Sequence, residues 1–265
     1  MQSTVWTWLV GVLCALILLG SGSPAVAQSA SSSRFSGWAA GVIAADWRDP
    51  RGHPIDAFDN ARRDLTAGFI AAGFSRENLV DFSLRPDIAS PVTPAQALTA
   101  FGETAARATD GCLLYVTSHG SPDHMTFGPG EMAPETLANL LRRTCGARPT
   151  VLIVSACFSG IFVDGLAAPN RMIVTAARRD RTSFGCSAEF TYTFFDGCMV
   201  EALKTAMDFI ALANQAKACV ALKEAAEPDF VPSEPQVSIG STLSFLLPTL
   251  RFSPRAPPSG GSSGS

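Results

Sequence analysis

No C-x-x-C pair occurs among the seven cysteines, which removes zinc-ribbon and thioredoxin-type arrangements. A basic stripe is missing too. The 20 Lys and Arg stand against 23 Asp and Glu, for a net charge of -3, and they are scattered, so no nucleic-acid partner is implied. Charge is wholly absent from the first 33 residues, where Val5 to Leu19 ("VWTWLVGVLCALILL") form one apolar run. That run is short for a bilayer span. Ala25 and Ala27 follow it in the A-x-A spacing of a signal-peptidase site. Residues 1–27 therefore read as a secretory signal cleaved after Ala27, with a periplasmic or secreted destination and no membrane partner once it is gone. The stretch before the apolar run lacks Lys and Arg, and a retained anchor is the alternative reading.

Export is compatible with lasting disulfides. Cys14 leaves with the signal, so Cys112, Cys145, Cys157, Cys186, Cys198 and Cys219 remain. If Cys157 stays reduced, at least one of the other five is also unpaired.

What is present is an alternation of strand and helix patterns, in a chain of 265 residues that suits one domain of ordinary size. After a Ser-rich linker, 28–37, the strand-type runs are 38–46, 78–83, 112–120, 150–157 and 171–177. Between them, 59–73 places Ala61, Leu65, Phe69 and Ala72 on one helical face with Gly73 to cap it. Thr93, Pro94 and Gln96 open a helix to about residue 108 with a capping box. Residues 134–146 form a third helix, and longer helical patterns fill about 196–226. "QVSIGSTLSFLL" near the end offers an edge strand, and "SPRAPPSGGSSGS", 253–265, is disordered by composition. Strands alternating with helices imply an α/β fold with a mostly parallel sheet covered on both faces, in a domain spanning 38–252.

Chemistry gathers at the carboxyl ends of such strands. "TSHG" ends the third strand and "SAC" the fourth, so His119 and Cys157 face one cleft if the two strands are neighbours. A thiol needs an imidazole or a helix N-terminus to become a thiolate at neutral pH, and "FSGIFVDGL" after Cys157 can begin as a helical turn. The N–H groups of Gly120 and Cys157 are candidates for an oxyanion hole. The competing reading is structural, because a free cysteine closing a core strand is often simply packed. A metal half-site formed by His119 and Cys157 lacks further clustered ligands, and no cofactor or metal is implied. His53 and His124 read as solvated or hydrogen-bonded bystanders, with His124 the more credible substitute base.

Chain order narrows the chemistry. No histidine follows residue 124, which excludes the α/β-hydrolase and papain orders, both of which place the histidine after the nucleophile. A phosphatase-type loop needs an arginine at position 163, which is Val163. What remains is a histidine one βαβ unit before a cysteine.

"YVTSHGS", "VSACFSG" and "VTAARRDRTSFGCS" together resemble the legumain-type cysteine peptidases, in particular their bacterial secreted branch, with the likeness in register over about 38–200. The resemblance implies a caspase-like three-layer sandwich and a Cys–His dyad of Cys157 and His119. It matches Gly120 to the glycine of the family's His-Gly pair. It also implies that Thr182 and Ser183 border the primary substrate pocket, and that cleavage follows Asn or Asp. Arg48 and Arg51 are further pocket candidates. Legumains carry acids where this chain has Ser118 and Ser155, the second being a pocket position. The function expected is a secreted cysteine endopeptidase acting on peptides or proteins through an acyl-enzyme. The alternative is a catalytically inactive relative that binds peptides or partner proteins through the same cleft.

Overall fold

A computed structural model describes residues 33–227, 229 and 231–254. Its strands are β1 (Trp38–Ala44), β2 (Leu79–Ser83), β3 (Gly111–Thr117), β4 (Met125–Phe127), β5 (Gly130–Met132), β6 (Thr150–Ser155), β7 (Arg171–Thr175) and β8 (Gln236–Ile239). The helices are α1 (Ala57–Ala71), α2 (Pro94–Arg107), α3 (Pro134–Thr144), α4 (Ile161–Leu166), α5 (Phe194–Leu203), α6 (Phe209–Ala225) and α7 (Ser241–Leu246). Six strands form one sheet in the order β2-β1-β3-β6-β7-β8, and β4 with β5 forms a separate hairpin. β2, β1, β3, β6 and β7 run parallel, while β8 pairs antiparallel at the edge.

Every residue of β1, β3, β6 and β7 is buried, as expected of strands covered on both faces. On one face Ala61, Leu65 and Phe69 of α1, Phe195 and Met199 of α5 and Phe209 of α6 pack on Leu113 and Ile153. On the other, Phe101 of α2, Leu141 of α3 and Phe162 of α4 pack on Leu114 and Val154. The three layers are thus helices, sheet, helices. α2 opens as its sequence dictates, since the Thr93 hydroxyl accepts the Gln96 N–H and the Gln96 side chain accepts the Thr93 N–H. Gly73, directly after the C-cap Ala72, closes α1 at φ 111°, its N–H donating to the Ile70 carbonyl at 3.0 Å and the Phe74 N–H to the Phe69 carbonyl at 3.1 Å.

Three boundaries differ from expectation. Phe35, assigned to the linker, is fully buried and stacks on Phe74 with ring centroids 4.8 Å apart, because it packs among the rings of Trp38, Phe74, Phe209 and Phe252. The last strand stops at Ile239, and Ser241 begins α7 instead. Ser253, assigned to the tail, donates its N–H to the Ala72 carbonyl at 2.8 Å. The signal and the rest of the tail lie outside the described residues.

Cys112 is bonded to Cys145 and Cys198 to Cys219, leaving Cys157 and Cys186 free among the described residues. The first bond ties the start of β3 to the end of α3, and the second joins α5 to α6.

Candidate active site

β1 is flanked by β2 on one side and β3 on the other, and β3 leads on to β6. Loops leaving β1 and β3 therefore diverge, opening a crevice at the carboxyl ends of the strands. Thr117 of β3 pairs with Ser155 of β6. Two residues beyond each of these stand His119 and Cys157, so the register delivers them to matching positions past adjacent parallel strands. The Ser118 N–H still donates to the Ser155 carbonyl at 2.9 Å, and the Ser118 hydroxyl donates to the Thr126 carbonyl at 2.7 Å. Ser118 is thus spent on holding the loop. At Gly120 a β-carbon would come within 2.1 Å of the Cys157 carbonyl oxygen, which requires glycine and shows how closely the two strand ends approach.

The His119 ring is oriented from the segment after β1. Its Nε2 lies 2.7 Å from the Arg48 carbonyl oxygen. A carbonyl only accepts, so Nε2 carries the proton, and in the neutral ring Nδ1 keeps a lone pair. Phe58 stands edge-on to the ring at 5.2 Å. The Arg48 carbonyl is fixed by the turn after β1, where the buried Asp46 carboxylate accepts the Trp47 N–H at 2.7 Å, the Arg48 N–H at 3.2 Å and Arg48 Nε at 2.8 Å. The Arg48 guanidinium also donates to the Gly128 carbonyl at 3.2 Å and lies over the Trp47 ring. Arg48 is therefore at the site, and it reaches His119 through its backbone. Arg51 is exposed in the same segment, its N–H donating to Asp49 at 2.8 Å. Sequence reasoning passed over Asp46, although an aspartate two residues before an arginine, just past a strand, is a local turn signal.

Cys157 is half-buried, not sealed in the core. Its sulfur accepts the Ser183 N–H at 3.3 Å and faces the Ser183 carbonyl at 3.4 Å and hydroxyl at 3.7 Å. Phe158 takes a left-handed φ of 55° and donates its N–H to the Arg181 carbonyl at 2.7 Å. That turn delays α4 until Ile161, so the helix expected directly after Cys157 begins four residues on, and the Ser183 N–H stands at the sulfur in place of a helix terminus. The Gly120 and Cys157 N–H groups bind no protein acceptor among the described residues. Cys186 is different in kind: burial, then the neighbouring charge of Cys157, pushes its thiol up to about 11.

Of the remaining expected residues, Thr182 is exposed beside Ser183. Ser155 is not. It is 2% exposed, because strand alternation turns it, like Ile153 two residues earlier, toward the helix-covered face. His53 is exposed beside Asp49, and His124 sits between Asp123 and Glu131. Asp196, in the first turn of α5, was not anticipated. It accepts the Tyr115 hydroxyl at 2.6 Å and the Thr117 hydroxyl at 2.6 Å, across separations of 81 and 79 residues.

Residues 99–218, which include both His119 and Cys157, match the model of the Peptidase C13 family. The solved structure of caspase-1 from Spodoptera frugiperda overlays with a TM-score of 0.59 at 14% identity, over 78% of this chain and 88% of that one. No curated protein sequence matches the chain. A caspase-like sheet joined to a C13 match defines a cysteine-type endopeptidase. Within that class the similarity is to the legumain type.

Proposed function

We propose that the chain is a secreted endopeptidase in which Cys157 is the nucleophile and His119 the general base and acid. The observation that carries this reading is the His119 Nε2 bond to the Arg48 carbonyl, which leaves Nδ1 as the proton acceptor for Cys157. Proton transfer from Sγ to Nδ1 yields a thiolate that the Ser183 N–H stabilises. The thiolate attacks the peptide carbonyl, and the unengaged N–H groups of Gly120 and Cys157 receive the oxyanion. His119 then protonates the leaving amine, and water hydrolyses the thioester along the reverse path. No cofactor enters these steps.

Thr182, Ser183 and Arg48 border the pocket for the residue before the cleaved bond. The Arg48 guanidinium, paired with Asp46 and 35% exposed, favours a side-chain carbonyl or carboxylate there, in line with Asn or Asp. The two disulfides and the uncharged amino-terminal run support export. The half-exposed Cys157 favours catalysis over an inactive binding role.

Turnover of fluorogenic peptide amides with Asn or Leu before the cleaved bond tests the reading. The wild type is expected to prefer Asn, and Cys157→Ala and His119→Ala are each expected to lower turnover by roughly 10³-fold or more without unfolding. Turnover that survives Cys157→Ala refutes the dyad. Amino-terminal sequencing of the exported protein is expected to begin at Gln28, and finding Met1 there excludes cleavage.

A further inference from the structure

Beneath the candidate dyad lies a carboxylate that none of the steps above uses. Asp196 is fully buried, and placing a carboxylate where an apolar side chain would pack is costly unless its oxygens are satisfied. They are satisfied in one particular way. Tyr115 and Thr117 stand on β3, four and two residues before His119, and their hydroxyls bond Oδ1 and Oδ2 separately. Ser155 stands on β6, two residues before Cys157, and is 2% exposed. Thr117 and Ser155 are cross-strand partners. One side chain from α5 thus grips the end of the strand whose extension carries the imidazole, at the residue paired with the end of the strand that carries the thiol. The grip is anchored in turn, since the Thr193 hydroxyl caps α5 by accepting the Asp196 N–H at 3.1 Å.

We propose that Asp196 is a positioning residue that, through Thr117, sets the placement of His119 relative to Cys157. The inference rests on the dyad reading above. Its donors are durable ones: burial, the charge of Asp196 and their hydrogen bond push the Tyr115 phenol well above its ordinary range, so it stays a hydroxyl donor at any working pH. Burial raises the Asp196 pKa while the hydroxyls around it pull the other way. A tie of this kind acts on geometry alone, because Asp196 has no surface from which to touch a substrate. Misplacement of reacting groups by a fraction of an ångström is enough to slow chemistry without weakening substrate binding.

The test uses Asp196→Asn, which keeps the shape, and Thr117→Val, which removes one tie and leaves the carboxylate in place. Both are compared with the wild-type chain for Tm, for kcat and KM on the Asn peptide amide, and for the rate at which iodoacetamide alkylates Cys157. The expected result in both folded variants is a kcat lower by about 10-fold to 100-fold, a KM within about twofold, and slower alkylation. Variants that melt at lower temperature yet keep wild-type kcat and alkylation rate overturn the inference, since a purely structural buried network behaves that way. Should Asp196→Asn fail to fold, Thr117→Val decides alone by the same two outcomes. The dyad reading fails separately: it falls if Cys157→Ala retains turnover, whereas wild-type kcat in Thr117→Val alongside an inactive Cys157→Ala sinks only the positioning role.

Discussion

Gly120 sits where the two halves of the site meet, and its missing β-carbon is what lets them meet. A methyl group there would need to occupy the space of the Cys157 carbonyl, 2.1 Å away and part of the backbone, so relief requires moving one strand end from the other. Gly120→Ala is therefore expected to cut kcat by at least about 100-fold while leaving the distant core, and hence most of the far-ultraviolet circular dichroism, intact. Wild-type kcat in that variant would contradict the close approach. The two free cysteines divide on the same local grounds. Cys157 lies half-exposed against a backbone N–H, whereas Cys186 packs beside Ala44, Ile55 and Phe58 and holds its proton to about 11. Only the first has both access and a backbone N–H at the sulfur.

At the scale of elements, α1 and β2 are joined by an ion cluster at the sheet edge. Arg62 donates to Asp59 at 2.8 Å and to Asp81 at 2.6 Å, and Arg63 also pairs with Asp59. Burial alone raises the Asp59 carboxyl, but Arg62 and Arg63 outweigh it and hold the group below its ordinary range. A folded-state pKa below the unfolded one contributes stability above the unfolded value, about 3.9 for aspartate, and loses it as pH falls through the folded value. The Tm advantage of the wild type over Arg62→Gln is thus expected to shrink as pH drops from about 5 to about 2. A constant difference across that window would show that the cluster is electrostatically idle. The helices themselves were largely readable from the chain: the Thr93 to Gln96 capping box and the apolar face of α1 act within a few residues. The carboxy-terminal strand was less so. "QVSIGSTLSFLL" is rich in apolar residues throughout, and only pairing of Met172 to Thr175 with Gln236 to Ile239 decides where the strand stops.

Across the whole molecule, two disulfides tie elements that the chain separates. Cys112–Cys145 closes a loop of 33 residues and Cys198–Cys219 one of 21, for which chain-entropy arguments give about 3–4 kcal/mol each. Replacing Cys198 and Cys219 together by Ser is expected to lower stability in urea by up to that amount. Activity should persist at temperatures where the fold remains, since neither cysteine contributes a group to the site. An unchanged unfolding midpoint would contradict a bond at that place. The sequence by itself determined the alternation of elements, the sheet-end location of His119 and Cys157, and the order that excludes rival chemistries, because these depend on local periodicity and on position along the chain. Only the tertiary structure decided which His119 nitrogen keeps its lone pair, which N–H faces the sulfur, and that the Tyr115 hydroxyl is bonded to Asp196. Those outcomes hang on contacts between residues from 26 to 81 positions apart, and no local pattern encodes which distant backbone group or side chain will fill a given direction once the strands have paired.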